Sequence, residues 1–467
     1  MKRTLFSSYL DGVRLNAAGE SYRGIMKYFI PEFLTALVLY SLVALIDASY
    51  VASLKSTADY AMLSLTTTLF HFITKIAEGL SVGTMVLCGF YHGKQDVTGM
   101  VRAISAACII TTVVAFCISG GLYLGARHLY AFLGTPAELI EIGVPFLRLR
   151  AIGAFLMFMF FMVSGFLRGI TRNDVTMRCY IVGSVVFLIL DYLLIFGAYG
   201  FPQYGLQGSA IASIVQYSVM LCIALAYIRK SAILASYSNV FSVSIRSCAD
   251  AMRSLCNISW PVMGDKAIFA ITRILLASYI APMGKSALGA FGVIRDIEMF
   301  AFVPAIACAQ VSTFLVSNYM GAGDPEGARC TVKKILLVAC FLVGVLLCVC
   351  SYYAYHIVHW FDSQGSFTED AVVAYRLLCM LSMLDIVQVI LSSALRGAAQ
   401  VRVVLGVRLC TLLFFSIPVL YATAHVAFQS NFVRFMTLYG AFYIANGLMA
   451  LWYVYWFRTG RWQQAHV

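Results

Sequence analysis

Charge is scarce in this sequence. Only 12% of its 467 residues are Asp, Glu, Lys or Arg, whereas 61% are hydrophobic, and the mean hydropathy is +0.86. Because a typical soluble domain has about 25% charged residues, this composition excludes a soluble globular protein and leaves little sequence for a separate soluble domain. It predicts a polytopic membrane protein.

Several sequence motifs are also missing. Residues 1–20 contain neither the apolar run nor the small-residue cleavage site of a signal peptide, so we expect the first apolar segment to be the first membrane helix. The fourteen cysteines form no CxxC pair and lie almost entirely in apolar runs, which argues against a disulfide framework or a metal centre. Because neither HExxH nor GxSxG occurs, we predict that the protein is not an enzyme.

What the sequence does contain is a series of long apolar segments. Each is long enough for the ~20 residues that a helix needs to cross a bilayer. They predict an all-α protein with twelve transmembrane helices, near residues 28–54, 58–90, 99–127, 137–167, 176–198, 206–229, 257–281, 286–318, 332–357, 371–395, 403–427 and 432–457.

The basic residues predict the orientation of these helices. The net charge is +12, which the positive-inside rule explains better than nucleic-acid binding does. If the N-terminus is cytoplasmic, the segments on the opposite side carry only Lys55, Arg127, Lys285 and Arg434. We therefore expect a multi-pass protein of the plasma (inner) membrane, embedded in the lipid bilayer, with both termini in the cytoplasm and no nucleic-acid partner.

The two halves of the chain repeat each other. A loop motif and an LRG motif recur at an offset of 228 residues, and a proline recurs at an offset of 230. The matching residues are Tyr91, Gly93 and Asp96 with Tyr319, Gly321 and Asp324, then Arg168 with Arg396, and Pro31 with Pro261. This predicts two six-helix lobes, 1–229 and 256–467, which are related by a pseudo-twofold axis along the membrane normal. Residues 230–255 would form a cytoplasmic linker.

Two acids interrupt the apolar runs of the first lobe. Asp47 is predicted to lie ~12 Å from the outer end of helix one, and Asp191 ~20 Å up helix five, so both are in the outer half. A carboxylate at membrane depth is costly unless it is protonated, paired or ion-bound. Since two carboxylates in one pocket cannot both stay ionised cheaply, we predict a cation-coupling site at Asp47 and Asp191. The alternative is that each acid only fixes a helix by bonding to hydroxyls or backbone.

The order and spacing of these motifs resemble the multidrug and toxic compound extrusion (MATE) family. The matching signatures cover both lobes: Pro31 with Asp47 in helix one, GFYHGKQD after helix two, FLRG before LDYLLIFGAYGFPQYGLQGSAIAS, then NYMGAGDPEGA and LDIVQVILSSALRG. The resemblance implies an antiporter that exports organic, often cationic, drug-like compounds by alternating access. Inward flow of protons or sodium ions would drive it.

The resemblance also implies further residues of the coupling site. Ser213 matches a small hydroxyl residue of the family in helix six, whereas Phe187 stands where members often carry an Asn, which weakens the case for sodium in this lobe. Asp385 followed by Gln388 resembles the pattern of NorM-type members, whose Asp contributes to a cation site. We expect H⁺ or Na⁺ as the coupling ion and no other cofactor. A sodium ion, if one is bound, would lie at Asp47, Asp191 or Asp385.

The role of Asp265 in helix seven stays open at this point. It is a candidate for cation coupling if it replaces the Glu that NorM-type members have in this helix. The alternative is an internal salt-bridge network that includes Asp265 together with Arg295, Asp296 and Glu298, because acids and bases are mixed in helices seven and eight.

Other residues are candidates for motion and for substrate binding. Pro31 lacks an N–H donor, so we predict that helix one bends there as Asp47 gains or loses its proton. Tyr40, Phe158 and Phe161 are candidates for a cleft that binds flat cations by stacking and cation–π contact, although such rings often only pack between helices.

Arginines near the outer starts of helices four and ten are expected to snorkel towards the membrane surface. They are Arg148, Arg150 and Arg376.

Two other transporter classes are alternatives. A carrier of the major facilitator type would have a GxxxDRxGRR-like loop where this chain has YHGKQDVTG. A flippase or exporter of lipid-linked or sugar-type substrates from the same superfamily would have more helices and a more cationic cavity, and the acid-rich helices disfavour it without excluding it. We expect a monomer whose partners are small organic substrates.

Overall fold

The predicted apolar segments form helices throughout the chain. The structure is a computed structural model that describes residues 13, 18–38, 43–53, 56–231, 245–362, 365, 367–426, 428 and 430–463. Its α-helices are α1 (Tyr22–Leu37), α2 (Val43–Ser53), α3 (Thr57–Gly93), α4 (Val97–Phe132), α5 (Ala137–Gly169), α6 (Asn173–Phe196), α7 (Leu206–Lys230), α8 (Ala249–Ile280), α9 (Lys285–Ala301), α10 (Val303–Gly321), α11 (Pro325–Tyr352), α12 (Ala354–Phe361), α13 (Thr368–Gly397), α14 (Val401–Thr411), α15 (Ile417–His425) and α16 (Asn431–Thr459).

Most of these helices are long enough to cross a bilayer. Within the described residues, ten spans have the length and apolar composition that a membrane helix needs, and α9 with α10 would form an eleventh, bent by 48°. The first predicted segment, 28–54, contains α1 and α2, and residues 39–42 between them lie outside the described part. The all-α polytopic fold that the sequence predicted is confirmed.

Two irregularities inside the predicted segments have proline nearby. The bend between α9 and α10 comes directly before Pro304, which has no N–H to continue the helical hydrogen bonds of the preceding turn. Leu412–Ser416, between α14 and α15, forms a π-helical turn just before Pro418. The apolar pattern predicts both segments as single spans because it carries no signal for these local breaks.

The chain divides into two compact units. One comprises Ile30–Met263, and the other comprises Met1–Phe29 with Gly264–Val467. Both divisions fall inside a helix, in α1 next to Pro31 and in α8 just after Pro261. The predicted boundaries at 229 and 256 remain a prediction, and residues 232–244 of the predicted linker lie outside the described residues.

The repeated loop motif is a helix cap in both units. The Asp96 carboxylate accepts a hydrogen bond of 2.9 Å from the backbone N–H three residues later, and Asp324 does the same at 2.8 Å. An aspartate at this position satisfies an N–H that the first turn of a helix leaves open. The residue before each Asp has a left-handed backbone, with φ of 58° at Gln95 and 74° at Gly323. The motif therefore builds the junction between two helices.

The LRG motif makes a second pair of matching turns. The residue three positions after each motif arginine has a left-handed backbone, with φ of 59° at Thr171 and 57° at Ala399. Its N–H donates to the carbonyl oxygen of Arg168 in one unit and of Arg396 in the other, at 2.9 and 3.0 Å. The two turns lie at the same offset of 228 residues as the sequence motifs.

Both motif arginines also pair with an acid on a proline-containing helix. Arg168 donates to Glu32 in α1 at 2.9 Å, and Arg396 donates to Asp265 in α8 at 2.7 Å. Both acids are almost fully buried, at 2% exposure each. Each ion pair ties the end of a long helix to a neighbour within its own unit.

Close helix packing in the unit Ile30–Met263 depends on Gly165. A β-carbon at this position would lie 2.4 Å from the carbonyl oxygen of Ser81 in α3. The backbones of α3 and α5 can therefore approach this closely only because Gly165 has no side chain. Gly121 in α4 is a matched control, because a β-carbon there meets nothing within 4 Å.

We expect Gly165→Ala to lower the free energy of unfolding by ~1–3 kcal/mol, because the two backbones must separate. Gly121→Ala should be neutral or stabilising by up to ~1 kcal/mol through helix propensity. Thermal unfolding of the two purified variants in the same detergent measures the difference. Equal melting temperatures would contradict the close contact.

Candidate functional site

A cavity of about 390 Å³ lies inside the unit Ile30–Met263, between five of its helices. Its walls come from α2, α3, α5, α6 and α7, and they combine one acid, one arginine, several hydroxyls and four aromatic rings. The lining residues are Val43, Asp47, Tyr60, Leu63, Ser64, Thr67, Thr68, His71, Arg150, Tyr180, Ser184, Phe187, Ser213, Gln216, Tyr217 and Met220. Its volume lies in the range of pockets that hold drug-sized molecules.

Asp47 reaches this cavity from α2. The hydroxyl of Ser209 in α7 donates a 2.8 Å hydrogen bond to its Oδ1. No ion pair joins Asp47 to another described residue within 4.0 Å. The carboxylate is therefore oriented by a neutral donor and stays open to a proton, a cation or a ligand.

Asp191 in α6 is more deeply placed. Its side chain has no exposed surface, and neither carboxylate oxygen has a hydrogen-bond partner among the described residues. It does not line the cavity, but its charge interacts with those of Asp47 and Arg150. A buried carboxylate without donors is strongly disfavoured in the ionised form. A bound proton or a nearby cation would remove that cost.

The hydroxyl residues of α7 are arranged differently from the expectation. Ser213 lines the cavity, but its hydroxyl donates to the carbonyl oxygen of Ala210 at 2.8 Å. The serine that contacts Asp47 is Ser209, one turn earlier. Both serines belong to the motif GSAIAS. The sequence indicates that a serine of this motif lies near the acid, but only the packing shows which of the two it is.

Arg150 was expected to snorkel with Arg148, and the structure corrects this. Arg148 is exposed, and its guanidinium lies 5.5 Å from the ring centre of Tyr123. Arg150 instead lines the cavity, with its guanidinium 5.1 Å from the ring centre of Phe70 and 5.6 Å from that of Phe146. Two residues along an α-helix correspond to a rotation of roughly 200° about the helix axis. Arg150 therefore lies on nearly the opposite face of α5 from Arg148.

Two of the three aromatic candidates do not form the walls of this cavity. Phe158 and Phe161 are 1% and 4% exposed and lie in the packed core of their unit. They are on α5, which packs closely against α3 and α7, so rings at these positions are covered by neighbouring helices. Tyr40 lies outside the described residues. The aromatic walls are Tyr60, Tyr180, Phe187 and Tyr217 instead; these rings are part of the set given above.

Pro31 lies inside α1, and the helix continues through it to Leu37. The hydroxyl of Thr35 donates to the Pro31 carbonyl oxygen at 2.8 Å, a contact within the helix itself. Bending at Pro31 therefore stays a prediction.

Asp265, in the unit that comprises Met1–Phe29 and Gly264–Val467, forms salt bridges, as the second of its two interpretations predicted. One of its carboxylate oxygens accepts from Arg396 at 2.7 Å, and the other accepts from Arg408. All three side chains are largely buried, with exposures of 16% for Arg396, 9% for Arg408 and 3% for Asp265. With both oxygens held by guanidinium groups, this geometry favours a structural ion pair over a cation-coupling site.

Glu298 is separate from this ion pair. Arg295 and Asp296 pair with each other at the surface at 2.8 Å. Glu298 is buried, accepts a 2.6 Å hydrogen bond from Tyr439, and has one oxygen without a partner among the described residues. The expected network of Asp265, Arg295, Asp296 and Glu298 is thus three separate groups.

Asp385 and Gln388 lie one turn apart on α13, as predicted. Their side chains are 7% and 2% exposed, and the amide nitrogen of Gln388 has no hydrogen-bond partner in the described part of the chain. Asp385 forms no ion pair within 4.0 Å there. Its role in cation coupling stays a prediction.

Comparison with known protein families decides the class of this architecture. The family model MatE matches the chain twice, over residues 33–193 and 261–422. The chain belongs to the MatE family. The two matches begin 228 residues apart, which is the offset of the repeated loop and LRG motifs, so the internal repeat of this MatE chain coincides with the repeat of the family.

Curated relatives and solved structures agree with this assignment. The chain is 21% identical over 355 residues to the probable multidrug resistance protein YoeA of Bacillus subtilis (strain 168), with 76% of each chain covered. It is 24% identical to a probable multidrug resistance protein NorM of Bacillus cereus, with 85% of this chain and 87% of the relative covered.

Two solved structures share the fold of this MatE chain. A MATE protein in the bent conformation superposes with a TM-score of 0.84 at 18% identity, and 98% of both chains is covered. The MATE transporter VcmN of Vibrio cholerae gives 0.85 at 18% identity, with 94% of this chain and 97% of that chain covered. The sequence-based recognition of the MATE family is confirmed.

Proposed function

We propose that this MatE protein is an antiporter that exports organic, drug-like compounds by alternating access, in exchange for inward-moving protons or sodium ions. The observation that supports it most is the pair of carboxylates in one unit. Asp47 lies on a drug-sized cavity, and Asp191, whose charge interacts with it, is buried without a hydrogen-bond partner among the described residues. The two relatives named as multidrug resistance proteins support the substrate class.

Each carboxylate has a separate task in this mechanism. Asp47 faces the cavity, so in its ionised form it attracts a cationic group of the exported compound. Asp191 does not line the cavity and is fully buried, so protonation there relieves an unfavourable buried charge. Because the two charges interact, adding a proton or cation at one carboxylate changes the affinity of the other for its ligand. Such linked binding is the thermodynamic requirement for exchange of two ligands.

Protons suit this site better than sodium ions. Sodium needs several oxygen ligands, whereas the position one turn before Asp191 carries Phe187, which places a hydrocarbon ring on the cavity wall. Ser209 gives its hydroxyl hydrogen to Asp47. A proton requires only a carboxylate that can titrate. We place the protein in the plasma membrane as a monomer, with both termini in the cytoplasm.

The test is transport of two planar aromatic dyes, the cation ethidium and a zwitterionic rhodamine with a free carboxylate, into proteoliposomes that contain the purified protein in inside-out orientation. We expect an acidic interior to drive uptake and a sodium gradient at equal pH to drive little. Protein-free liposomes provide the background. Uptake driven by sodium alone would reverse the choice of ion, and the absence of uptake under either gradient would contradict the proposed function.

A further inference from the structure

Arg150 is a fixed positive charge on the wall of the transport cavity. Its guanidinium lies against the rings of Phe70 and Phe146, at 5.1 and 5.6 Å from their centres. Its Nε is buried and has no hydrogen-bond partner in the described part of the chain, and the side chain forms no ion pair there within 4.0 Å. The guanidinium charge therefore has no counter-ion among the described residues, and an anionic group of a ligand in the cavity would provide one.

The aromatic contacts hold the guanidinium without using its hydrogen-bond donors. The guanidinium lies over both rings, and neither of these contacts uses an N–H donor. Because its side chain is already held against two rings, Arg150 loses little further entropy when it binds a carboxylate through two parallel hydrogen bonds. This makes Arg150 better suited to a planar anion than a flexible surface lysine would be.

The same cavity also presents a negative group. Asp47 lies on its wall, and the charge of Arg150 acts on Asp47 and on Asp191 without direct contact within 4.0 Å. A ligand with a single positive charge would be attracted by Asp47 and repelled by Arg150. A ligand with a basic part and an acidic part can satisfy both residues.

We propose that Arg150 binds an anionic group of the exported compound, so that the cavity prefers aromatic zwitterions with a carboxylate over simple organic cations. Tyr60, Tyr180 and Tyr217 provide ring faces and hydroxyls for the aromatic part of such a compound. This inference rests on the proposed function and specifies its substrate class.

A pair of dyes that differ only in the anionic group tests it. One is a rhodamine with a free benzoic carboxylate, and the other is the methyl ester of the same rhodamine. Binding is measured by fluorescence polarisation with the purified full-length protein, and transport is measured in proteoliposomes. We expect the wild-type protein to bind the carboxylate dye more tightly than the ester.

Three variants show whether the preference comes from Arg150. Arg150→Gln should weaken binding of the carboxylate dye by ~10- to 100-fold, the loss of a charge-assisted hydrogen bond, and should tighten binding of the ester, because a positive charge that repels it is removed. Arg150→Lys, which keeps the charge without the planar group, should be intermediate. Arg148→Gln is the matched control on the same helix and should change neither affinity, because Arg148 is exposed and outside the cavity lining.

The outcomes separate this inference from the proposed function. If Arg150→Gln weakens both dyes equally, or if the wild-type protein does not prefer the carboxylate, the inference is wrong while gradient-driven transport of the ester still supports the antiporter. If the wild-type protein neither binds nor transports either dye, both proposals fail. Elution on size exclusion and melting temperature show independently whether Arg150→Gln is folded.

Discussion

The Asp47→Asn variant is expected to fold normally and to lose export driven by an ion gradient. Asn has nearly the same shape as Asp, and its amide oxygen can still accept the hydrogen bond from Ser209. It cannot gain or lose a proton, and it offers no negative charge to a cationic compound. The coupling between ion and substrate should therefore disappear, and dye uptake should fall to the level of protein-free liposomes.

An exposed carboxylate provides the control for this loss. Asp174 lies on the same helix as Asp191, and it forms only a long surface pair of 3.6 Å with Arg178, both side chains being well exposed. Asp174→Asn should transport like the wild-type protein because exposed pairs of this kind contribute little. Elution on size exclusion and melting temperature report on folding in both variants. Wild-type transport by Asp47→Asn would refute its role.

The helices could be predicted because their cause is local in the sequence, and the junctions between them turn out to have a local cause as well. A long run of apolar residues by itself predicts a membrane-spanning helix. The repeated Asp96 and Asp324 loops report helix caps, since an aspartate before a helix bonds to the N–H groups of the first turn wherever the helix then packs. The same chemistry at the same offset in both halves also made the internal repeat visible.

The acids of the site could be predicted for a different reason. A charged residue is so unfavourable within an apolar run that its presence alone marks a candidate site. Asp47 and Asp191 were chosen in this way, and their role in coupling stays a prediction. Their partners carry no such mark. Ser209 and Ser213 are one turn apart on α7, and the composition of that helix does not distinguish the one that contacts the acid.

The direction in which an arginine side chain points could not be predicted from the sequence. Near the end of a membrane helix, an arginine can reach the surface or turn inward, and Arg148 and Arg150 do one each. The difference comes from which face of α5 borders the cavity. Asp265 shows the same limit, because its partners Arg396 and Arg408 are 131 and 143 residues away in the sequence.

The Asp265→Ala variant is expected to be the least stable of all the substitutions considered. It removes the only carboxylate within 4.0 Å of Arg408 in the described residues and leaves two positive charges facing each other in a largely buried site. Removing one member of a buried ion pair lowers the free energy of unfolding by ~3–5 kcal/mol. A fall in melting temperature in detergent and a lower yield of monodisperse protein should both be measured.

Asp385→Ala is the matched control within the same unit. Asp385 is also buried, at 7% exposure, but it has no ion pair within 4.0 Å among the described residues, so its removal leaves no stranded arginine and should cost much less stability. Adding Arg408→Leu to Asp265→Ala should recover part of the loss, since one of the uncompensated charges is then absent. If Asp265→Ala melts like the wild-type protein and loses only transport, the ion-pair interpretation is wrong. Asp265 would then be a coupling acid, the role for which the sequence made it a candidate.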